Sequence, residues 1–165
     1  MTNSALLDRR DDLFGKGSTL FYKEPVQLVR GEGVHMYDET GRRYMDLYNN
    51  VPCVGHCHPH FVETVSRQVN TLNVHSRYLH ESILDYAERL TSRHDDSIQS
   101  IIFSCTGTEA NEIALRMARL ATGGRGIICT DATYHGNSVE VSKLTRPRDN
   151  QGDVRAMPFP ETYRN

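Results

Sequence analysis

No apolar run in this 165-residue chain approaches the roughly 18 residues that suggest a membrane span. An excess of positive charge is also missing: 19 basic residues face 21 acidic ones, for a net charge of −2. That balance removes the electrostatic case for nucleic acid or an anionic membrane surface as a partner. Cysteine is scarce and irregularly spaced, at Cys53, Cys57, Cys105 and Cys129, with no CxxC. A disulfide framework is therefore not expected, and buried free thiols are. The first ten residues carry charges where a secretory signal needs a continuous apolar stretch, which leads to the expectation of a cytoplasmic protein. Neither a Walker GxxxxGK[ST] loop nor a GxGxxG turn occurs, so nucleoside phosphates are not favoured as ligands. Lysine is rare as well, at Lys16, Lys23 and Lys143 only.

What is present fits a soluble globular chain, 38% hydrophobic and 24% charged, long enough for one domain with a core. Residues 1–20 read as a polar arm with one short helix around Ala5–Leu13. Residues 26–30, 34–37 and 43–47 alternate as strands of a meander, with turns at Gly31-Glu32-Gly33 and Asp38-Glu39-Thr40-Gly41. Apolar spacing predicts amphipathic helices over residues 60–72, behind Pro59, and over Ser82–Arg93. Ser100–Ser104 then reads as a buried strand, Glu109–Ala121 as a helix stopped by Gly123-Gly124, and Gly126–Thr130 as a second buried strand. Strand, helix and strand in that order predict a βαβ unit with parallel pairing. Asp149–Asn165 reads as loop, with Pro158 and Pro160, which leaves the expected sheet incomplete.

The chemistry concentrates in Phe103-Ser104-Cys105-Thr106-Gly107-Thr108-Glu109-Ala110-Asn111-Glu112. A small-residue turn between strand and helix exposes the first helical amides, which have no partner inside the helix. The helix dipole adds partial positive charge there, so a phosphate can bind to these N–H groups and to the Thr106 and Thr108 hydroxyls. Taken alone, the turn serves equally as an ordinary capped helix start, with Thr106 or Thr108 as N-cap and Glu109 or Asn111 in the first turn. Asp131-Ala132-Thr133-Tyr134-His135-Gly136 follows the next strand, at the end where open α/β sheets bind ligands. Tyr134 there can lie against a planar ring. Cup and aromatic together point to a flat phosphorylated cofactor.

Other groups admit two readings each. His56-Cys57-His58-Pro59-His60 has the residue types of a metal site, but no second cluster completes it, and a structural loop is the better reading. His135 serves as a general base or as a loop-shaping residue. Arg77 grips a substrate carboxylate or phosphate, or forms a surface ion pair.

In order along the chain, Gly33–Asp46, Gly55-His56-Cys57-His58-Pro59, Thr106–Glu112, Tyr134-His135-Gly136 and Pro158–Arg164 resemble motifs of the class III aminotransferases, which are pyridoxal-phosphate enzymes of fold type I. The resemblance covers about residues 20–165. Asn49-Asn50-Val51 and Leu72–His80 add a likeness to the branch of alanine–glyoxylate aminotransferase 2-like proteins, which includes phospho-lyases acting on phosphoethanolamine and phosphohydroxylysine. The resemblance implies an α/β fold: an amino-terminal arm and β-meander over 1–58, then the first part of a large cofactor-binding domain over 59–165, truncated. It implies pyridoxal 5′-phosphate as cofactor, held by Gly107 and Thr108 with Thr106 adjacent, by Tyr134 stacking, and by the acidic position Glu112. Where the family has Asn-Ser-Gly, this chain has Cys105-Thr106-Gly107, which keeps a hydroxyl but crowds the turn. Tyr22, Asn49 and Asn50 are candidate substrate residues by the same likeness, and Arg77 is one by its fork geometry. No catalytic residue falls within the chain, because the family's Schiff-base lysine and ring-nitrogen aspartate come from later in the large domain. The implied activity is transamination between an amine or amino acid and an oxo acid, by a homodimer. A phospho-lyase acting on a phosphorylated amine and a non-catalytic cofactor-binding fragment are the alternatives.

Overall fold

The computed structural model describes residues 3–18, 20, 22–146, 152–161 and 163. They form two compact units, Met1–Tyr78 and Leu79–Asn165.

The amino-terminal unit opens with α1 (Asn3–Phe14), a little longer at both ends than the expected helix. Then comes the meander: β1 (Leu28–Glu32), β2 (His35–Asp38) and β3 (Arg43–Met45), antiparallel in the order β1-β2-β3. The first turn is tighter than its glycines suggest. Gly31 and Glu32 stay in β1, opposite Met36 and His35, and the turn falls on Gly33-Val34. Asp38 closes the second turn. Its Oδ1 accepts the Thr40 N–H at 2.9 Å, the Thr40 hydroxyl at 2.6 Å and the Arg42 N–H at 3.0 Å, and its Oδ2 accepts the Tyr44 hydroxyl at 2.8 Å.

Residues 46–56 make a loop pinned at both ends to the β1–β2 turn. The Asp46 N–H donates to the Val34 carbonyl, and His56 and Gly33 exchange both backbone hydrogen bonds. His56 Nε2 lies 2.8 Å from Asp46 Oδ2, so the His–Cys–His segment is tied to a carboxylate of the meander. The His56 side chain lies so close to β1 that a Cβ on Gly31 would come within 2.7 Å of it, which leaves room only for glycine. Asp46 Oδ1 accepts the N–H groups of Tyr48 and Asn49 and the Asn49 amide. α2 (Pro59–Thr71) follows, with its proline in the first turn, where no N–H is needed.

These carboxylates carry a pH dependence. The Thr40 hydroxyl first, then the Tyr44 hydroxyl and the Arg42 and Thr40 N–H groups, lower the Asp38 pKa to about 2. The Asn49 N–H first, then the Tyr48 N–H and His56, hold Asp46 further below the ordinary carboxylate range. A pKa lower in the folded than in the unfolded state stabilises the fold above the unfolded value, and that contribution is lost as pH falls through the folded value. The amino-terminal unit is therefore expected to lose thermal stability from about pH 5 down to about pH 2. Asp38→Asn should lower the midpoint at neutral pH and flatten that decline. An Asp38→Asn midpoint with the same acid slope as wild type would refute the assignment.

The carboxyl-terminal unit contains α3 (Glu81–Thr91), α4 (Gly107–Thr122), β4 (Ile127–Thr130), α5 (Val139–Ser142) and β5 (Val154–Met157). α4 begins and ends as its residues dictate. Thr106 caps it with extended backbone and a hydroxyl that accepts the Glu109 N–H, and Gly123 stops it in the left-handed conformation, with φ of 67°. β4 and β5 pair in parallel, Ile127 opposite Val154 through Thr130 opposite Met157. Val141, Leu144 and Val154 are the buried hydrophobic residues among those described.

Five expectations need correction. Ser100–Ser104 forms no strand with any of the described residues, and Phe103 instead stacks on Tyr86 of α3 with ring centroids 5.6 Å apart. The described parallel pair is β4 with β5, and the connection between them contains α5. Val154–Met157, expected as loop, is the strand β5, while residues 149–151, 162, 164 and 165 of that stretch lie outside the described residues. The thiols are free, but Cys53, Cys57 and Cys105 are exposed and only Cys129 is partly covered. β4 is half-buried, with Ile128 open to solvent.

Candidate functional site

The first turn of α4 is built by short-range chemistry. The Thr106 hydroxyl accepts the Glu109 N–H at 3.1 Å, and the Glu109 carboxylate reaches back to accept the Cys105 N–H at 2.8 Å. This reciprocal arrangement is close to a capping box. The Ala110 N–H is taken by the Thr106 carbonyl. The N–H groups of Gly107 and Thr108 have no acceptor among the described residues, as the first amides of a helix do not. A Cβ built on Gly107 meets nothing within 4 Å, so the approach to these amides is open. The capped-helix reading is what the geometry shows, and it does not use up the amides that the phosphate-cup reading needs: the cap takes one lone pair of Thr106 and leaves the N–H groups of Gly107 and Thr108 without an acceptor among the described residues.

A second segment packs against this turn. Asn111 Nδ2 donates to the His135 carbonyl at 2.9 Å, across 24 residues of sequence. Gly136 lies so near Thr108 that a Cβ there would be 2.3 Å from the Thr108 Oγ1. On its far side the same loop is tied to the stretch after α5. The His135 N–H donates to Thr145 Oγ1 at 3.2 Å, and the Arg146 N–H donates to the Thr133 carbonyl at 3.0 Å. His135 shapes the loop through its backbone. Tyr134 is carried on this loop and is 66% exposed.

Thr106, Gly107, Thr108 and the Tyr134 loop therefore share one locality. Glu112 lies one turn after Thr108 on the same helical face and lines a groove that continues to Arg116, Arg119 and Glu140. In that groove Glu140 pairs with Arg119 at 2.9 Å and with Lys143, which hold its pKa below the ordinary value, Lys143 first.

Tyr22, Asn50 and Arg77 belong to the other unit. Tyr22 is half-exposed and lines a shallow groove against α1 with Asn3, Leu6 and Pro25. Asn50 is exposed at the end of the turn that Asp46 organises. Arg77 is exposed, and its N–H donates to His75 Nδ1 at 3.2 Å. Sequence reasoning missed the partners that hold these segments: Asn111 and Gly136 in one unit, the Asp46–His56 pair in the other. The positive-φ glycine Gly136 was the one local signal, and it marks a turn without naming its contact.

The likeness to known proteins runs over nearly the whole chain. The family model for aminotransferase class-III matches residues 21–163. An alanine–glyoxylate aminotransferase 2-like protein of Drosophila melanogaster is 36% identical over 96% of this chain and 32% of its own length. An ethanolamine-phosphate phospho-lyase homolog of Caenorhabditis elegans is 31% identical over 96% of this chain and 36% of its own. Among solved structures, a phospholyase from Arthrobacter in complex with phosphoethanolamine aligns with a TM-score of 0.87 and 40% identity, over 94% of this chain and 38% of that one. A taurine:2-oxoglutarate aminotransferase from Bifidobacterium kashiwanohense, in complex with PLP and glutamate, shares the fold with a TM-score of 0.78 at 20% identity. The chain spans about a third of the length of the curated relatives it matches.

Proposed function

The chain belongs to the class III aminotransferases, and on that premise we propose that its parent moves an amino group from an amine or amino acid to an oxo acid, with this chain supplying the cofactor's phosphate and ring-stacking site. The cofactor is pyridoxal phosphate, as in the family and in the PLP-bound aminotransferase of the same fold. One observation carries the reading: the loop bearing Tyr134 is docked on the first turn of α4 through Asn111 and Gly136.

The residues fit the group. The free N–H groups of Gly107 and Thr108 donate to the phosphate, the Thr106 and Thr108 hydroxyls add donors, and the helix dipole favours the negative charge. The open space at Gly107 admits the phosphate close to the backbone. Tyr134 offers an exposed ring face for the planar cofactor. When bound, the cofactor supplies an electron sink for negative charge next to the amine nitrogen. This chain's part is to anchor and orient it. The family likeness assigns the cofactor's lysine to none of Lys16, Lys23 and Lys143. The parent is proposed to be a cytoplasmic homodimer, with Tyr22, Asn50 and Arg77 toward the substrate and Glu112 at the family's acidic position.

A second reading has a specific support. The Arthrobacter phospholyase, 40% identical, was solved with phosphoethanolamine, and the C. elegans relative is a phospho-lyase homolog by name. In that reading the parent eliminates phosphate from a phosphorylated amine. A third is a cofactor-binding fragment without catalysis. The deciding experiment gives the parent protein two substrates separately. Transamination predicts a new amino acid from an amino donor plus an oxo acid, and no inorganic phosphate from phosphoethanolamine. The lyase predicts the reverse. Cofactor uptake with neither product leaves the non-catalytic reading, and absence of cofactor uptake sinks all three.

A further inference from the structure

Tyr134 is the ring proposed for stacking, yet its own side chain is not what fixes it. The residue is two-thirds exposed, and its hydroxyl makes no hydrogen bond among the described residues. Its position therefore follows from the backbone of residues 133–136. Three groups of contacts set that backbone: first the stretch after α5, where Thr145 Oγ1 accepts the His135 N–H and donates to the Gly136 carbonyl and the Arg146 N–H donates to the Thr133 carbonyl; second Gly136 against Thr108; third Asn111 to the His135 carbonyl. The first is local to the loop and the stretch after α5. The second keeps the loop close without directing it, because a steric contact has no preferred hydrogen-bond geometry. Among the described residues, Asn111 is the one side chain of α4, the helix whose first turn carries the free amides, that grips the residue next to Tyr134 by a directional bond, of 2.9 Å.

We infer that Asn111 is a positioning residue: its amide, donating to the His135 carbonyl, sets where the Tyr134 ring stands relative to the first turn of α4. This rests on the proposed cofactor reading. Asn111 touches neither phosphate nor ring in this account and acts through Tyr134. A side chain of another length or without a donor frees the loop, and the ring loses its register with the phosphate seat while the seat itself persists.

Two probes separate these parts. Inorganic phosphate reads the seat alone, and pyridoxamine 5′-phosphate reads seat plus ring without needing a lysine. With the full chain, calorimetric titration of Asn111→Ala should show pyridoxamine phosphate bound roughly tenfold more weakly, about the size of one stacking contact, with phosphate affinity unchanged. Tyr134→Ala should do the same. The double variant should be no weaker than Tyr134→Ala within about twofold, because both changes remove one interaction. Asn111→Ser, which keeps a donor, serves as a second variant if the alanine fails to fold, and should fall between wild type and Tyr134→Ala. Wild-type affinity for both probes in the Asn111 variants would overturn the inference. So would additive losses in the double variant, or an equal loss for both probes, which marks a merely structural role at the helix start. A wild-type chain that binds neither probe removes the cofactor reading, and the inference with it. A wild-type chain that binds both while the Asn111 variants are unaffected sinks the inference alone.

Discussion

The isolated 165-residue chain should turn over no amino donor above the rate of pyridoxal phosphate free in buffer. Transamination on this cofactor needs an amine that attaches to it covalently and then moves the proton. Lysine is the side chain suited to both tasks, and the chain has only Lys16, Lys23 and Lys143. Lys16 lies in the turn after α1 and Lys23 in the bend before β1, both in the amino-terminal unit. Lys143 shares the unit of the candidate site, but its ammonium is engaged by Glu140, which also accepts from Arg119. A side chain tied down in an ion pair is not free to reach a cofactor carbonyl in the geometry that attack requires. The assay is a mixture of chain, pyridoxal phosphate, amino donor and oxo acid, followed for the new amino acid against a cofactor-only blank. Chain-dependent turnover in a preparation free of longer species would overturn the expectation, and its loss on Lys143→Ala would name the residue responsible.

The parts of the fold legible in the sequence are those decided within a few residues. Thr106 and Gly123 set the two ends of α4 by capping and by a left-handed stop, and both are readable one residue at a time. Pro59 opens α2 for the same kind of reason. Periodicity also identified the apolar faces of α2 and α4, yet Phe61, Val69, Met117 and Leu120 remain exposed. A pattern states which face is apolar and says nothing of what covers it. The run Ser100–Ser104 shows the same gap: it has the composition of a strand, but pairing needs a neighbour, and none is formed among the described residues. β5 went unread for the opposite reason. Pro158 and Pro160 dominate its surroundings, and only the distant partner β4 makes Val154–Met157 a strand. The site divides along the same line. The free amides at Gly107 and Thr108 follow from the helix start, whereas the docking of His135 on Asn111 spans 24 residues and has no local pattern. His56 illustrates how neighbours mislead. Two histidines and a cysteine nearby suggest a metal, but its acceptor is Asp46, ten residues back in the meander.

Gly136→Ala should undock the loop from α4, whereas Gly107→Ala should leave the fold intact. Gly136 has φ of 136°, a conformation that residues with a Cβ rarely adopt. The added Cβ would lie 2.3, 2.7 and 2.8 Å from Oγ1, Cβ and Cγ2 of Thr108. Thr108 cannot swing aside cheaply, because a β-branched side chain in a helix has few rotamers and its Cβ is fixed to the backbone. The loop must move instead, and the hydrogen bond from Asn111 to the His135 carbonyl goes with it. Backbone strain of ~1–3 kcal/mol and overpacking of ~1–3 kcal/mol together make a local cost of roughly 2–6 kcal/mol. The expected result is a thermal midpoint of the carboxyl-terminal unit lower by several degrees, with faster amide exchange at His135 and Gly136. Thr108→Ala in the same chain should recover only part of the loss, since it removes Oγ1 and Cγ2 but leaves the contact at 2.7 Å. Gly107 is next to Thr108 in α4 but meets nothing within 4 Å, so an alanine there should cost nothing in stability and gain a little from reduced freedom of the unfolded chain. Equal midpoints for the two alanine variants would mean that the loop does not rest on Thr108.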